Sequence, residues 1–226
     1  MSEIKHPEHL EHKKTAAESW MLYQDRYGKQ TLIAVAVLLI LTAGYFGYKH
    51  FVQEPKEKQA EEAMFRAEDY FRMDSIKLAL NGDNVNAGFE KIMTRYPGTQ
   101  AAELAAFYSG SCYLKIGDYN KAVKYLKDYS TPALQVQAKA YGLLGDAYSE
   151  LNKKEEAIAA YKKAGTTFDK DDIISPEYLF RAGYLYESMG KDKEAIEMYQ
   201  LVKDKYPASQ RGFDIDRYLS RLGVVK

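Results

Sequence analysis

The sequence predicts an all-α protein in which a single N-terminal transmembrane helix is followed by a solenoid of stacked helix pairs. Three observations carry this expectation. Thr31 to Tyr48 is a run of 18 residues without a charge. A set of small and aromatic residues recurs three times, at intervals of 35 and 38 residues. No stretch sustains the period-two alternation of a half-buried strand.

The totals agree with a medium-sized soluble domain carrying an attached apolar segment. Of 226 residues, 46% are apolar and 28% charged, and Lys+Arg and Asp+Glu each total 32. A chain with no net charge has no global field to draw in nucleic acid. The single cysteine, Cys112, can form neither an internal disulfide nor a multi-cysteine metal site.

Residues 1–30 read as a cytoplasmic leader, mostly polar, with His6, His9 and His12 spaced by three. No acidic or cysteine partner completes a recognisable metal site around these histidines, so they read as part of a solvated arm, and no metal or cofactor is expected. The apolar run follows, within a transmembrane segment at 31–51. As a helix, its 18 uncharged residues rise roughly 27 Å, close to a hydrocarbon core of about 30 Å. Trp20, Tyr23 and Tyr27 precede it, and Tyr45, Phe46, Tyr48 and Phe51 close it. Such rings favour both water–lipid boundaries. A cleaved signal would begin nearer the N-terminus and end in a small-x-small site, neither of which is found. Lys13, Lys14, Arg26 and Lys29 outnumber Lys49, Lys56 and Lys58 by one, which favours a cytoplasmic N-terminus and an exported C-terminal domain. Ala43 and Gly47 share one helical face, where another membrane helix has room to approach.

Residues 52–80 read as one linker helix. Pro55 suits its first turn, and Ala60, Ala63, Met64, Ala67, Tyr70 and Phe71 recur at helical spacing. Asn81-Gly82-Asp83 is a stop signal. The repeats occupy 81–226. The first complete unit has Gly110, Tyr113, Gly117 and Ala122. The second has Gly145, Tyr148, Asn152 and Ala157, and the third Gly183, Tyr186, Gly190 and Ala195. The leading Gly lets the second helix approach, Tyr fills the same seam, and Gly or Asn ends the first helix in the left-handed conformation. Helix pairs of this kind bury their apolar faces only by stacking. The pattern resembles the tetratricopeptide repeat, whose period is about 34 residues. Phe89, Ile92 and Tyr96-Pro97 mirror Tyr199, Val202 and Tyr206-Pro207 of the last unit and mark a degenerate earlier repeat. Phe168 to Asp172 reads as a longer loop, and Asp214 to Leu222 as a capping helix.

No phosphate loop, zinc motif or nucleophile elbow is present, so the chain does not read as an enzyme. Cys112 sits where a small core residue belongs. Most of the 20 tyrosines fall at seam positions, which with the balanced charge argues against nucleic-acid stacking. The first helix of each pair lines the inner face of such a stack. The candidate partner-binding residues there are Phe107, Ser111 and Leu114, then Gly142, Asp146 and Ser149, then Phe180, Tyr184 and Glu187. The two phenylalanines are either an exposed apolar surface or capped by neighbouring helices. On the first reading, replacing Phe180 and Tyr184 together weakens partner binding and barely changes the melting temperature.

The layout resembles the YfgM-like ancillary translocon subunits in their Bacteroidetes-type form. The resemblance rests on the span ending Gly44-Tyr45-Phe46-Gly47-Tyr48-Lys49, the segment Asp74 to Asp83, and repeats closing on Tyr206-Pro207-Ala208-Ser209. It implies a single-span inner-membrane protein with a periplasmic repeat domain and no catalytic residues. It also implies partners: subunits of the Sec translocon, a PpiD-like chaperone of the prolyl-isomerase type, and exported polypeptides leaving the channel. The alternative is a structural subunit of another envelope complex, serving outer-membrane protein assembly or cell-wall synthesis.

Overall fold

The computed structural model describes residues 15–224, and the histidine-bearing leader positions lie outside that range. The chain divides into two units, Met1–Glu54 and Pro55–Lys226. Among the described residues there is no strand, only an isolated bridge between Gly82 and Ala87.

The first unit is α1 (Ala16–Tyr48) followed by a π-helical turn, Lys49–Gln53. Leu32, Ile33, Val35, Leu38, Ile40 and Leu41 are all exposed, and none of the apolar window is buried. That excludes the core helix of a soluble domain, which hides such a stripe. The helix is long and apolar enough to cross a membrane. Its threonines suit an apolar surrounding, because Thr31 and Thr42 return their hydroxyls to backbone carbonyls at Tyr27 and Leu38.

The second unit begins with α2 (Glu54–Arg72), α3 (Ile76–Asn81) and α4 (Phe89–Arg95). Three helix pairs follow: α5 (Gln100–Lys115) with α6 (Tyr119–Lys127), α7 (Leu134–Glu150) with α8 (Lys154–Thr167), and α9 (Ile174–Ser188) with α10 (Asp192–Lys205). A last helix, α11 (Gln210–Arg221), closes the stack. It starts four residues before the expected Asp214 because Ser209 accepts from the Gly212 amide as an N-cap.

The repeat residues act as their spacing predicts. A Cβ added to Gly110 would lie 2.5 Å from Leu126, one on Gly145 2.5 Å from Tyr161, and one on Gly183 2.7 Å from Tyr199. Only glycine allows those crossings. Ala122, Ala157 and Ala195 on the facing helices are fully buried. Gly117, Asn152 and Gly190 have φ of 81°, 56° and 70°. The following amide in each turn reaches back to the motif tyrosine's carbonyl: Asp118 to Tyr113 at 2.9 Å, Lys153 to Tyr148 at 2.9 Å, and Lys191 to Tyr186 at 3.0 Å. The tyrosine and the turn residue are thus the two ends of one helix-ending hydrogen-bonded motif.

The expected linker helix over 52–80 is divided. α2 stops at Arg72, Asp74 takes φ of 55°, and the Ser75 amide bonds the Tyr70 carbonyl at 2.8 Å. The turn directs Ala79 and Leu80 into the same core as Ala60, Met64 and Ala67. α2 is therefore part of the packed repeat unit, not a spacer outside it. The loop after α3 is held by Asp83, which accepts from the Val85 amide at 2.7 Å, the Asn86 amide and the Tyr70 hydroxyl. The bond from the Asn86 amide, followed by that from Tyr70, keeps its carboxyl well below the usual range.

The first helices α5, α7, α9 and α11 touch in series, and each second helix packs on the first helix after it. The core falls into two clusters. One gathers α2 to α7 with Ala160 of α8. The other gathers Ala157, Ile158 and Tyr161 of α8 with α9 to α11. Tyr148 packs against both.

Candidate partner-binding surface

The row of first helices carries three grooves, among which the predicted positions are distributed. A groove of about 260 Å³ includes Phe107 and Ser111, with Phe71 and Lys139. A second, of about 410 Å³, includes Leu114, Asp146 and Ser149, with Glu150 and Arg181. The third, of about 260 Å³, includes Tyr184 and Glu187, with Arg221.

Phe107 and Phe180 are not exposed. Phe107 is 8% exposed, its ring 5.6 Å from Tyr129 in the α6–α7 connection. Phe180 is 6% exposed and sits 5.7 Å from Tyr199 and 4.7 Å from Tyr218, with the Arg211 guanidinium 4.1 Å above it. Neighbouring elements cap both rings. Gly142 offers no free surface either, because the Tyr178 ring fills the space a side chain would take. Tyr184 is 53% exposed and stands as the accessible aromatic of the set.

The polar members of the row are linked across repeats. Arg181 Nη1 meets Asp146 Oδ1 at 2.6 Å, and its Nε meets Glu177 Oε1 at 2.8 Å. Arg211 Nε meets Glu177 Oε2 at 2.6 Å. The Tyr161 hydroxyl donates to Asp146 at 2.7 Å. Glu187 accepts from Tyr199 at 2.8 Å and pairs with Arg221 at 2.7 Å. A ladder of alternating charge thus ties α7, α9 and α11. Burial would raise the Glu177 carboxyl, but hydrogen bonds from Arg211 and Arg181 outweigh it and hold the group below its ordinary value. Burial pushes the Tyr161 and Tyr199 hydroxyls up, reinforced by Asp146 and Glu187. They stay neutral donors at physiological pH. Burial also pushes the Cys112 thiol up to about 12, which removes its nucleophilic thiolate.

Sequence spacing did not reveal Glu177, Arg181 and Arg211 as a set. They are separated by 34 or 35 residues from their cross-repeat partners and have no equivalents in the other units. In the apolar helix, Ala43 is exposed and nothing lies within 4 Å of a Cβ built on Gly47, so that face of α1 is open within its unit. Among the described residues, no group of three or more His, Cys, Asp or Glu is placed to hold a metal ion.

Stacked helix pairs with cross-repeat polar ties and an inner row of grooves define a helical-repeat scaffold, a class that works by protein–protein contact and is generally non-enzymatic. A family model described as a Tetratricopeptide repeat-like domain matches residues 22–135, and models described as Tetratricopeptide repeat match 138–164 and 177–209. The chain belongs to the tetratricopeptide repeat-like family. Among solved structures, a crystal structure of MamA protein is similar, with a TM-score of 0.57 at 22% identity over 73% of this chain and 83% of that one. A second MamA crystal structure has a TM-score of 0.48 at 25% identity over 61% and 76%. The first of these is a likeness of fold. No curated protein matches the chain.

Proposed function

We propose that this protein is a membrane-anchored, non-enzymatic scaffold or co-chaperone of the Sec translocon. Its apolar helix spans the inner membrane with the N-terminus in the cytoplasm. Its repeat unit lies in the periplasm and contacts translocon subunits, a PpiD-like chaperone of the prolyl-isomerase type and emerging exported chains. The observation that carries the proposal is the extent of the family match. It takes in the apolar stretch 31–48 together with α2 to α6, which supports reading the apolar helix as part of the same protein type as the repeats. The exposed apolar side chains of α1 support a span over a core helix. Anchoring confines the repeats near a channel exit and raises their effective concentration there without requiring tight contacts.

The test is purification of the tagged full-length protein from native membranes in mild detergent, with mass spectrometry of what accompanies it. A version with 31–48 replaced by an unrelated span runs in parallel. Recovery of translocon subunits and a periplasmic chaperone is expected. Loss of the translocon alone from the swapped version assigns that contact to the span. Recovery of another envelope complex without the translocon refutes the proposal, and an uncut protein is required throughout, since cleavage after α1 would make that helix a signal.

A further inference from the structure

A groove between α2 and α5, absent from the sequence-based set of sites, is unlike the others. It holds about 310 Å³, and its apolar floor is Met64, Phe65 and Leu104. Phe65 is 57% exposed there, with the Arg66 guanidinium 5.8 Å from its ring centroid. Its rim is acidic: Glu57, Glu61 and Glu68. Glu57 has a structural task, since its carboxylate accepts from the Gln100 and Ala101 amides at 3.0 and 2.9 Å and caps α5. Glu61 and Glu68 have none. Of the nearby cations, Arg72 pairs with Asp69, and Arg66 reaches Asp69 at 4.0 Å while its guanidinium lies over the Phe65 ring. Among the described residues, neither Glu61 nor Glu68 has an ion-pair partner. Burial raises the Glu68 carboxyl despite the Arg72 charge, so ionised Glu68 is under-compensated where it stands. Elsewhere on the inner row the acids Asp146, Glu177 and Glu187 are all matched by arginines.

We propose that the α2–α5 groove docks a basic, apolar-faced segment of a partner polypeptide, with an apolar side chain against Phe65 and Leu104 and Lys or Arg side chains at Glu61 and Glu68. Charge complementarity selects this occupant: an acidic segment meets repulsion along the α2 rim, and a purely polar one leaves Phe65 wet. The two acids are seven residues apart on α2, about 10.5 Å along its axis. A partner cation pair fits at i and i+7 of a helix, positions that share one face. This inference rests on the reading of the repeats as a partner-binding scaffold, but not on the translocon as the site of action.

The experiment uses the full-length protein in phosphatidylcholine nanodiscs and fluorescence anisotropy of three labelled peptides of equal length. One is an amphipathic Lys–Leu sequence, the second has Glu in place of Lys, and the third has Ser in place of Leu. Empty nanodiscs supply the lipid background. The Lys–Leu peptide is expected to bind best, and more weakly as KCl is raised. Glu61→Lys with Glu68→Gln is expected to weaken it about tenfold, the scale of two exposed charge contacts. Glu61→Lys alone, at an exposed position that does not threaten folding, weakens it about threefold. Phe213→Ser is the control, because Phe213 is 77% exposed on α11, outside the groove, and its loss is expected to change nothing. Equal binding of the Glu–Leu peptide, indifference to Glu61→Lys, or binding no greater than to empty nanodiscs overturns the proposal. Failure to recover translocon subunits from membranes, with peptide binding intact, refutes the proposed site of action and leaves the groove standing.

Discussion

Phe180→Ala tests where the inner row ends and the core begins. The ring is 6% exposed and packed between Tyr199, Tyr218 and the Arg211 guanidinium. Truncating a buried phenylalanine costs about 3–5 kcal/mol, the cavity left behind included. Two close ring neighbours and a cation over its face put this site in the upper part of that range. For a domain of this size each kcal/mol shifts the melting temperature by about 2–4 °C, so a loss of roughly 8–20 °C is expected. Tyr184→Ala, at 53% exposure but with its ring stacked 6.3 Å from Phe180, should cost about 0.5–1.5 kcal/mol. Far-UV circular dichroism melts of the two full-length variants, side by side in one detergent, make the comparison. A Phe180→Ala protein that melts within 1–2 °C of the parent, below about 1 kcal/mol by the same conversion, would show that the ring is not core. It would also restore the exposed-face reading, in which the double replacement leaves stability intact.

Three other outcomes follow from the geometry. Gly183→Ala gains about 1 kcal/mol of helix propensity but sets a methyl 2.7 Å from the fully buried Tyr199 ring. Overpacking at about 1–3 kcal/mol should prevail, lowering the urea midpoint. Glu177, with its folded carboxyl held below the ordinary value, adds stability that is fully present above its unfolded pKa of about 4.3 and is lost as pH falls through the folded one. Glu177→Gln should therefore flatten the fall in melting temperature in that acid range, with the arginine partners charged throughout. Cys112, buried with its thiol pushed up to about 12, should resist iodoacetamide at pH 8 in the native protein and react on unfolding.

Much of the repeat architecture was legible because it is enforced identically in each unit. Gly145 must face Tyr161 and Gly183 must face Tyr199, so the spacing exposes the seam. The left-handed turns at Gly117, Asn152 and Gly190 were legible for the same reason. The break after Arg72 was not, because Met73-Asp74-Ser75 contains neither glycine nor proline. Asp74 accepts the left-handed conformation to bring Ala79 and Leu80 to the core. The inner row was legible as a set of positions but not as a surface. Phe180 is covered by Tyr218 and Arg211, which follow the last repeat and have no counterpart for periodicity to find. Phe107 is covered by Tyr129, in a connection, where helical spacing says nothing. The acidic groove at Glu61 and Glu68 escaped notice because α2 read as a spacer, and a helix taken to stand alone has no neighbour with which to form a groove.

The division of the core at α8 gives the stack a property that a uniform solenoid lacks. One side of that helix buries Ala160 with the earlier helices, and the other buries Ala157, Ile158 and Tyr161 with the later ones. Amide exchange is expected to resolve two blocks that share α8. The arginine ladder couples α9 and α11 most tightly to each other, through Glu177 and Arg211. The Asp146–Arg181 pair and Tyr148 still join the two blocks, so loosening at the C-terminal end is expected to be damped at α8 rather than stopped there.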